Sequence, residues 1–279
     1  MANKRLMNQE QIEESLLKSL FHSFKMNCKR RDIDYSIDFD KFKIISKENC
    51  VYCGDIPSSI LHSDYVRRKD ENGMKKRTRE RSYQQVLNYN GIDRVDPRLG
   101  YDSPNCAPCC WKCNRSKGIM RVCEFEEWMR KLNSNIQSGM KQSFEIFDKF
   151  IDTIEKEKSE DELVVMKRTQ QLVLNNYKKG AKIRNLEFEM EEQLFYELIK
   201  LNCSYCGEPP SNGIRIPKNH HNLSLGYYSQ IYRYSGLDRI NSSKGYSIEN
   251  CLACCKKCNY SKNDLPLQEW FDWILRFSK

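Results

Sequence analysis

The sequence contains no apolar run long enough to cross a bilayer, and its opening residues, Met1 to Gln11, are too polar for a secretory signal. The first absence argues against a helical membrane span and the second against secretion, so the chain is expected to be intracellular and cytoplasmic. Histidine is also scarce. His22, His62, His220 and His221 are the four in 279 residues, which leaves few imidazoles for proton transfer near neutral pH.

Cysteine, by contrast, is abundant. Fourteen occur, mostly as C-x-x-C pairs. A disulfide framework suits small secreted chains, whereas these pairs without a secretory signal favour thiolate zinc sites in a reducing compartment. With 30% charged and 39% hydrophobic residues the profile is globular, and the length allows two modest domains, each burying its own core. The formal net charge of +9 suits a polyanionic partner, since clustered Lys and Arg replace phosphate counterions.

The chain is organised around one repeated stretch. Tyr89 to Lys117 reads YNGIDRVDPRLGYDSPNCAPCCWKCNRSK, and Tyr234 to Lys262 reads YSGLDRINSSKGYSIENCLACCKKCNYSK. Both hold an Asp-Arg pair, a Gly-Tyr turn, an Asn-Cys step, a C-x-x-C-N knuckle and a Lys three residues later. An upstream C-x-x-C-G precedes each, at Cys50–Cys53 and Cys203–Cys206. Two copies make a tandem pair and are too few for a stacked array. The expected division is a first module over 1–139, a helical connector over 140–170 and a second module over 171–279.

Each module offers two separated knuckles, and four thiolates close a tetrahedral site with no open position, which marks a structural ion. The expected ligand sets are Cys50, Cys53, Cys110 and Cys113, then Cys203, Cys206, Cys255 and Cys258. Such a site contributes on the order of 10 kcal/mol to folding. Cys106–Cys109 and Cys251–Cys254 also read as C-x-x-C. The later pairs are preferred because they directly precede Asn114 and Asn259, leaving Cys106, Cys109, Cys251 and Cys254 as small buried hydrophobes.

Local patterns fill in the rest. Apolar residues at helical spacing predict a helix over residues 10–32, alternation predicts a short strand from Ile33 to Ile37, and Asp38 is the N-cap expected for a helix over Phe39 to Ser46. The segment from Pro57 to Leu87 is the least regular. It contains a basic run with Arg77, Arg79 and Arg81, read either as a solvated loop or as a phosphate-contacting arm. A helix follows from about Val122 to Leu132, with Phe125 and Trp128 on one face, and residues 140–180 read as one or two connecting helices.

The combined pattern, C-x-x-C, then Asp-Arg, then G-Y-x-x-x-N-C, then C-x-x-C-N-x-x-K, resembles the HNH, or His-Me finger, endonucleases built on a zinc knuckle. The resemblance covers about residues 24–132 and 177–275. It implies an α+β fold of two tandem zinc-bound ββα-metal modules with flanking helices, and metal-dependent hydrolysis of DNA phosphodiester bonds. By the same resemblance Asp93 with Asn114, and Asp238 with Asn259, would hold a catalytic magnesium or manganese ion. Asn105 and Asn250 would brace the loop, and Lys117 and Lys262 would meet phosphate. The family's basic His is replaced by Arg94 and Arg239, which stay protonated and suit phosphate better than proton abstraction. His62, His220 and His221 fall in the loops before each Asp and are the substitute bases on offer. Two functions therefore stand open: an endonuclease, or a catalytically silent tandem module that binds DNA, RNA or a protein partner. The resemblance also points to genes of phages and mobile elements.

Overall fold

The computed structural model describes residues 9–62, 86–139, 160–215 and 231–278. Arg77, Arg79 and Arg81, His220 and His221, and most of the expected connector lie outside them. The described chain is α+β, with eight α-helices and four two-stranded antiparallel sheets. It divides into two compact units, Met1–Phe125 and Glu126–Lys279.

In the first unit α1 (Gln9–Arg30) and α2 (Phe39–Lys47) come before the sheets. Asp38 caps α2 as expected, accepting from the Lys41 backbone N–H at 2.8 Å. Phe42 and Ile45 of α2 pack with Cys28, Ile37, Ile92 and Tyr101 into the core. The strand expected over Ile33–Ile37 does not form. Only an isolated parallel bridge joins Tyr35 to Tyr101, because the chain at Asp34 passes directly over Gly100. A Cβ on Gly100 would stand 2.6 Å from the Asp34 carbonyl oxygen, so this glycine is required by close backbone approach.

Strands β1 (Ser59–His62) and β2 (Val86–Tyr89) form one hairpin across the ends of the irregular segment. Next, β3 (Gly91–Arg94) pairs with β4 (Cys106–Cys109), setting Asp93 opposite Ala107. The short helix α3 (Trp111–Lys117) completes a ββα unit, started by Cys110, whose sulfur accepts from the Cys113 N–H. Helix α4 (Val122–Gln137) is longer than expected. Phe125 packs edge-on against Tyr52, so the start of α4 closes over the first knuckle.

The later part of α4 belongs to the second unit. There Lys131 pairs with Glu208 at 2.7 Å, and Asn135 donates to the Ser204 and Tyr205 carbonyls beside the second knuckle. These contacts tie the later part of α4 to the second knuckle. Helix α5 (Glu160–Ile183) runs on without a break into the second set of elements: α6 (Glu192–Leu198), β5 (Asn212–Arg215), β6 (Ile231–Tyr234), β7 (Gly236–Arg239), β8 (Cys251–Cys254), α7 (Lys256–Lys262) and α8 (Leu267–Leu275). Pairing of β5 with β6 and of β7 with β8 follows the pattern of the first unit. Tyr246 bridges Phe188 as Tyr101 bridges Tyr35. Among the described residues no helix is long and apolar enough to cross a membrane.

Candidate metal centres and phosphate-facing cleft

The four expected cysteines of each unit converge. The sulfurs of Cys50, Cys53, Cys110 and Cys113 lie within 4.8 Å of one another, as do those of Cys203, Cys206, Cys255 and Cys258. The Gly after each upstream pair supplies the turn: Gly54 has φ 74° and Gly207 φ 73°. Each set of four can hold a metal ion. Cys109 and Cys254 are fully buried, and their thiols donate to the carbonyls of the neighbouring ligands Cys110 and Cys255 at 3.5 and 3.3 Å.

The knuckle also carries a tyrosine that sequence reasoning missed. Tyr52 and Tyr205 each fill the last variable place of the first C-x-x-C. Their hydroxyls donate at 2.6 Å to Asp93 and Asp238. Recurrence of Tyr at the same place in CVYC and CSYC was the available signal. Burial, and then the bond to the adjacent carboxylate, pushes the Tyr52 hydroxyl well above its ordinary range.

Lys117 and Lys262 occupy different places from those expected. Their side chains are fully buried, and their ammonium groups pair with Asp93 at 2.9 Å and Asp238 at 3.0 Å. Each also donates to the carbonyl of the following arginine, Lys117 to Arg94 at 2.8 Å and Lys262 to Arg239 at 2.9 Å. The expectation that these lysines meet phosphate is corrected: the helix phase turns them inward, because an uncompensated buried carboxylate on β3 or β7 would be costly. Burial is the leading influence on Asp238 and raises its pKa, against the pull of Tyr205 and Lys262.

Asn114 sits one turn before Lys117 on the same helix face. Its amide N–H points to the Ile92 carbonyl at 3.4 Å, and Asn259 repeats the contact to Leu237 at 3.1 Å. Asn and Lys thus meet alternate carbonyls of one strand, which fixes each short helix against the strand that carries the Asp. Asn105 and Asn250 brace the loop between the strands. Asn105 accepts from the Asp96 N–H at 2.7 Å and donates to the Asp96 and Gly100 carbonyls. Asn250 makes the matching three bonds to Asn241 and Gly245.

Arg94 and Arg239 fold back over this loop. Arg94 donates to the Leu99 carbonyl and lies 5.4 Å from the Tyr101 ring centre. Arg239 donates to the Ser242 and Lys244 carbonyls and lies 5.4 Å from that of Tyr246. In the second unit a cleft of about 490 Å³ opens at this point, lined by Asp238, Arg239, Asn259, Tyr246, Arg184 and Asn176 among others. Among the described residues no histidine lines it. His22 is exposed on α1, and His62 is described only as a backbone partner of Val86.

No protein-family model matches the chain. Over 244 residues it is 24% identical to an uncharacterised protein of Acanthamoeba polyphaga mimivirus, a match that covers 88% of this chain and 34% of that protein. Over 169 residues it is 25% identical to YoqL of Bacillus subtilis strain 168, an SPbeta prophage-derived protein whose name places it among HNH endonucleases. That match covers 60% of this chain and 66% of YoqL, so the chain spans less than two thirds of either relative. A solved structure of the rare-cutting HNH restriction endonuclease PacI matches 44% of this chain and 75% of its own, at 17% identity and a TM-score of 0.25, a value from which a shared fold does not follow. The chain is distantly similar to an HNH endonuclease, and these relatives belong to a giant virus and a prophage.

Proposed function

We propose that the chain is a tandem pair of zinc-scaffolded HNH-like modules that binds nucleic acid, DNA in the first place, and hydrolyses its phosphodiester bonds. The observation that carries this reading is the opening of Asp238, Arg239 and Asn259 together on one cleft.

Zinc fits both four-cysteine sites. A tetrahedron with metal–sulfur bonds of about 2.3 Å has edges of about 3.8 Å. The Cys53–Cys110 and Cys206–Cys255 sulfur separations are 3.7 and 3.8 Å. Saturated by four thiolates, this ion is a scaffold.

A second, catalytic ion has a hard-oxygen donor set in Asp238 with Asn259, and in Asp93 with Asn114. Asn259 spends its amide N–H on the Leu237 carbonyl, which leaves its oxygen as the end that can face a cation. Magnesium or manganese bound there would neutralise charge on the scissile phosphate and its leaving oxygen. The chain's own groups do the rest. Lys262 and Tyr205 hold the Asp238 carboxylate in one orientation, and Asn250 keeps the loop carrying Arg239 in shape. Arg239 supplies a permanent positive charge for phosphate. It cannot accept a proton, so the attacking water loses its proton to the substrate phosphate or to bulk hydroxide, and turnover is slow.

A second reading, binding without turnover, is favoured by the capture of both Asp238 oxygens by Lys262 and Tyr205. Incubation with plasmid in magnesium or manganese separates the two. Cleavage that is lost in the Asp93→Ala, Asp238→Ala double variant, with DNA affinity kept, supports the nuclease. No cleavage with either ion at high protein concentration leaves the silent module, and no binding even at low salt removes both.

A further inference from the structure

The cleft of the second unit contains a charged side chain from outside the repeated stretch. Arg184 follows the last turn of α5, and its Nη2 donates to the Tyr246 hydroxyl at 2.8 Å. Its guanidinium lies 5.9 Å from the centre of the Tyr246 ring, while that of Arg239 lies 5.4 Å from the same centre. Two permanent cations therefore share one ring at the mouth of the cleft, and among the described residues neither forms an ion pair with a carboxylate. The acids nearby are otherwise engaged: Asp238 by Lys262 and Tyr205, Asp264 by the amide of Asn263. Two permanent cations on the lining of one cleft attract an anion, and the planar fork of arginine matches phosphate oxygens.

In the first unit Arg94 likewise lies over the ring of Tyr101, 5.4 Å from its centre.

We propose that Arg184 with Arg239, both held on Tyr246, form a two-arginine clamp for a backbone phosphate of the nucleic acid. This rests on the nucleic-acid reading above, but not on turnover. It assigns a phosphate contact to a helix-end residue that the Asp-Asn-Lys pattern does not include.

The test uses the full zinc-loaded chain without added divalent ion and a fluorescein-labelled duplex DNA of about 20 base pairs, with anisotropy followed across a salt series. Each lost phosphate contact lowers the slope of log affinity against log salt by about 0.9. The Arg184→Gln variant is expected to lose roughly tenfold in affinity and about 0.9 in slope, with zinc content and melting temperature kept. Arg184→Lys, which keeps the charge and loses the fork, and Tyr246→Phe, which loses only the hydroxyl bond, should weaken binding several-fold with the slope kept. An unchanged slope in Arg184→Gln, alongside a reduced one in Arg239→Gln, overturns the clamp and leaves the nucleic-acid reading standing. Absence of salt-dependent binding by the unaltered chain overturns both.

Discussion

Replacing Lys262 by methionine is the sharpest perturbation of the site. The ammonium is fully buried, Asp238 is 4% exposed, and the pair is joined at 3.0 Å. Methionine keeps most of the side-chain volume but removes the charge, and it also removes the bond to the Arg239 carbonyl at 2.9 Å. Asp238 is left with the single bond from Tyr205 at 2.6 Å. Breaking a buried pair by deleting one partner costs about 3–5 kcal/mol, because the remaining charge is stranded in low dielectric. The Tyr205→Phe change should cost less, about 1.5–3 kcal/mol, the range for a hydrogen bond to a charged group. Urea unfolding at saturating zinc measures both, following the transition of the second unit. A double-mutant cycle with Asp238→Leu adds the decisive figure: with both charges gone, much of the loss should be recovered, so the coupling energy is large. A loss below about 1 kcal/mol for Lys262→Met, or no coupling to Asp238, would refute the buried-pair reasoning. Lys117→Met should behave in the same way in the first unit, where Lys117 is fully buried against Asp93.

Removal of the proposed zinc ions should unfold the knuckles. Cys113→Ser or Cys258→Ser each breaks one four-sulfur set, with a loss on the order of 10 kcal/mol read as a shifted melt and a halved zinc content. Asn105→Ala removes three bonds that shape the loop between β3 and β4. At about 1 kcal/mol each this costs roughly 3 kcal/mol, and faster amide exchange over residues 95–101 should accompany it. Alkylation at pH 8, followed by mass spectrometry, should label exposed Cys123 first. Burial pushes the Cys106 and Cys251 thiols up to about 12, so they remain protonated at that pH and react slowly, since the thiolate is the nucleophile. Rapid labelling of Cys251 in zinc-loaded protein would contradict its burial.

Much of this protein could be read from residue order alone. The C-x-x-C spacing chose both ligand sets, because two residues between sulfurs fit one turn around an ion, and Asn114 and Asn259 pointed to the right register between overlapping pairs. Asp38 marked the start of α2, since a side-chain oxygen there satisfies an open backbone N–H. The loop-bracing geometry of Asn105 and Asn250 followed from a likeness of motif. Other features needed the packed chain. A lysine three residues after Asn114 could face solvent or core. Docking of α3 on β3 turns it inward, where the buried Asp93 requires a countercharge. The same burial explains Tyr52 and Tyr205, whose hydroxyls became visible as partners only once the knuckle lay against the strand. Alternation from Ile33 to Ile37 suggested a strand, but that segment passes over Gly100 and leaves a single bridge at Tyr35. Arg184 lies more than fifty residues before Arg239, and only the fold brings the two to one tyrosine ring. Sequence fixes what depends on near neighbours, such as caps, turns and ligand pairs. Burial and charge pairing depend on which surfaces meet, and that is decided when the helices close on the sheets.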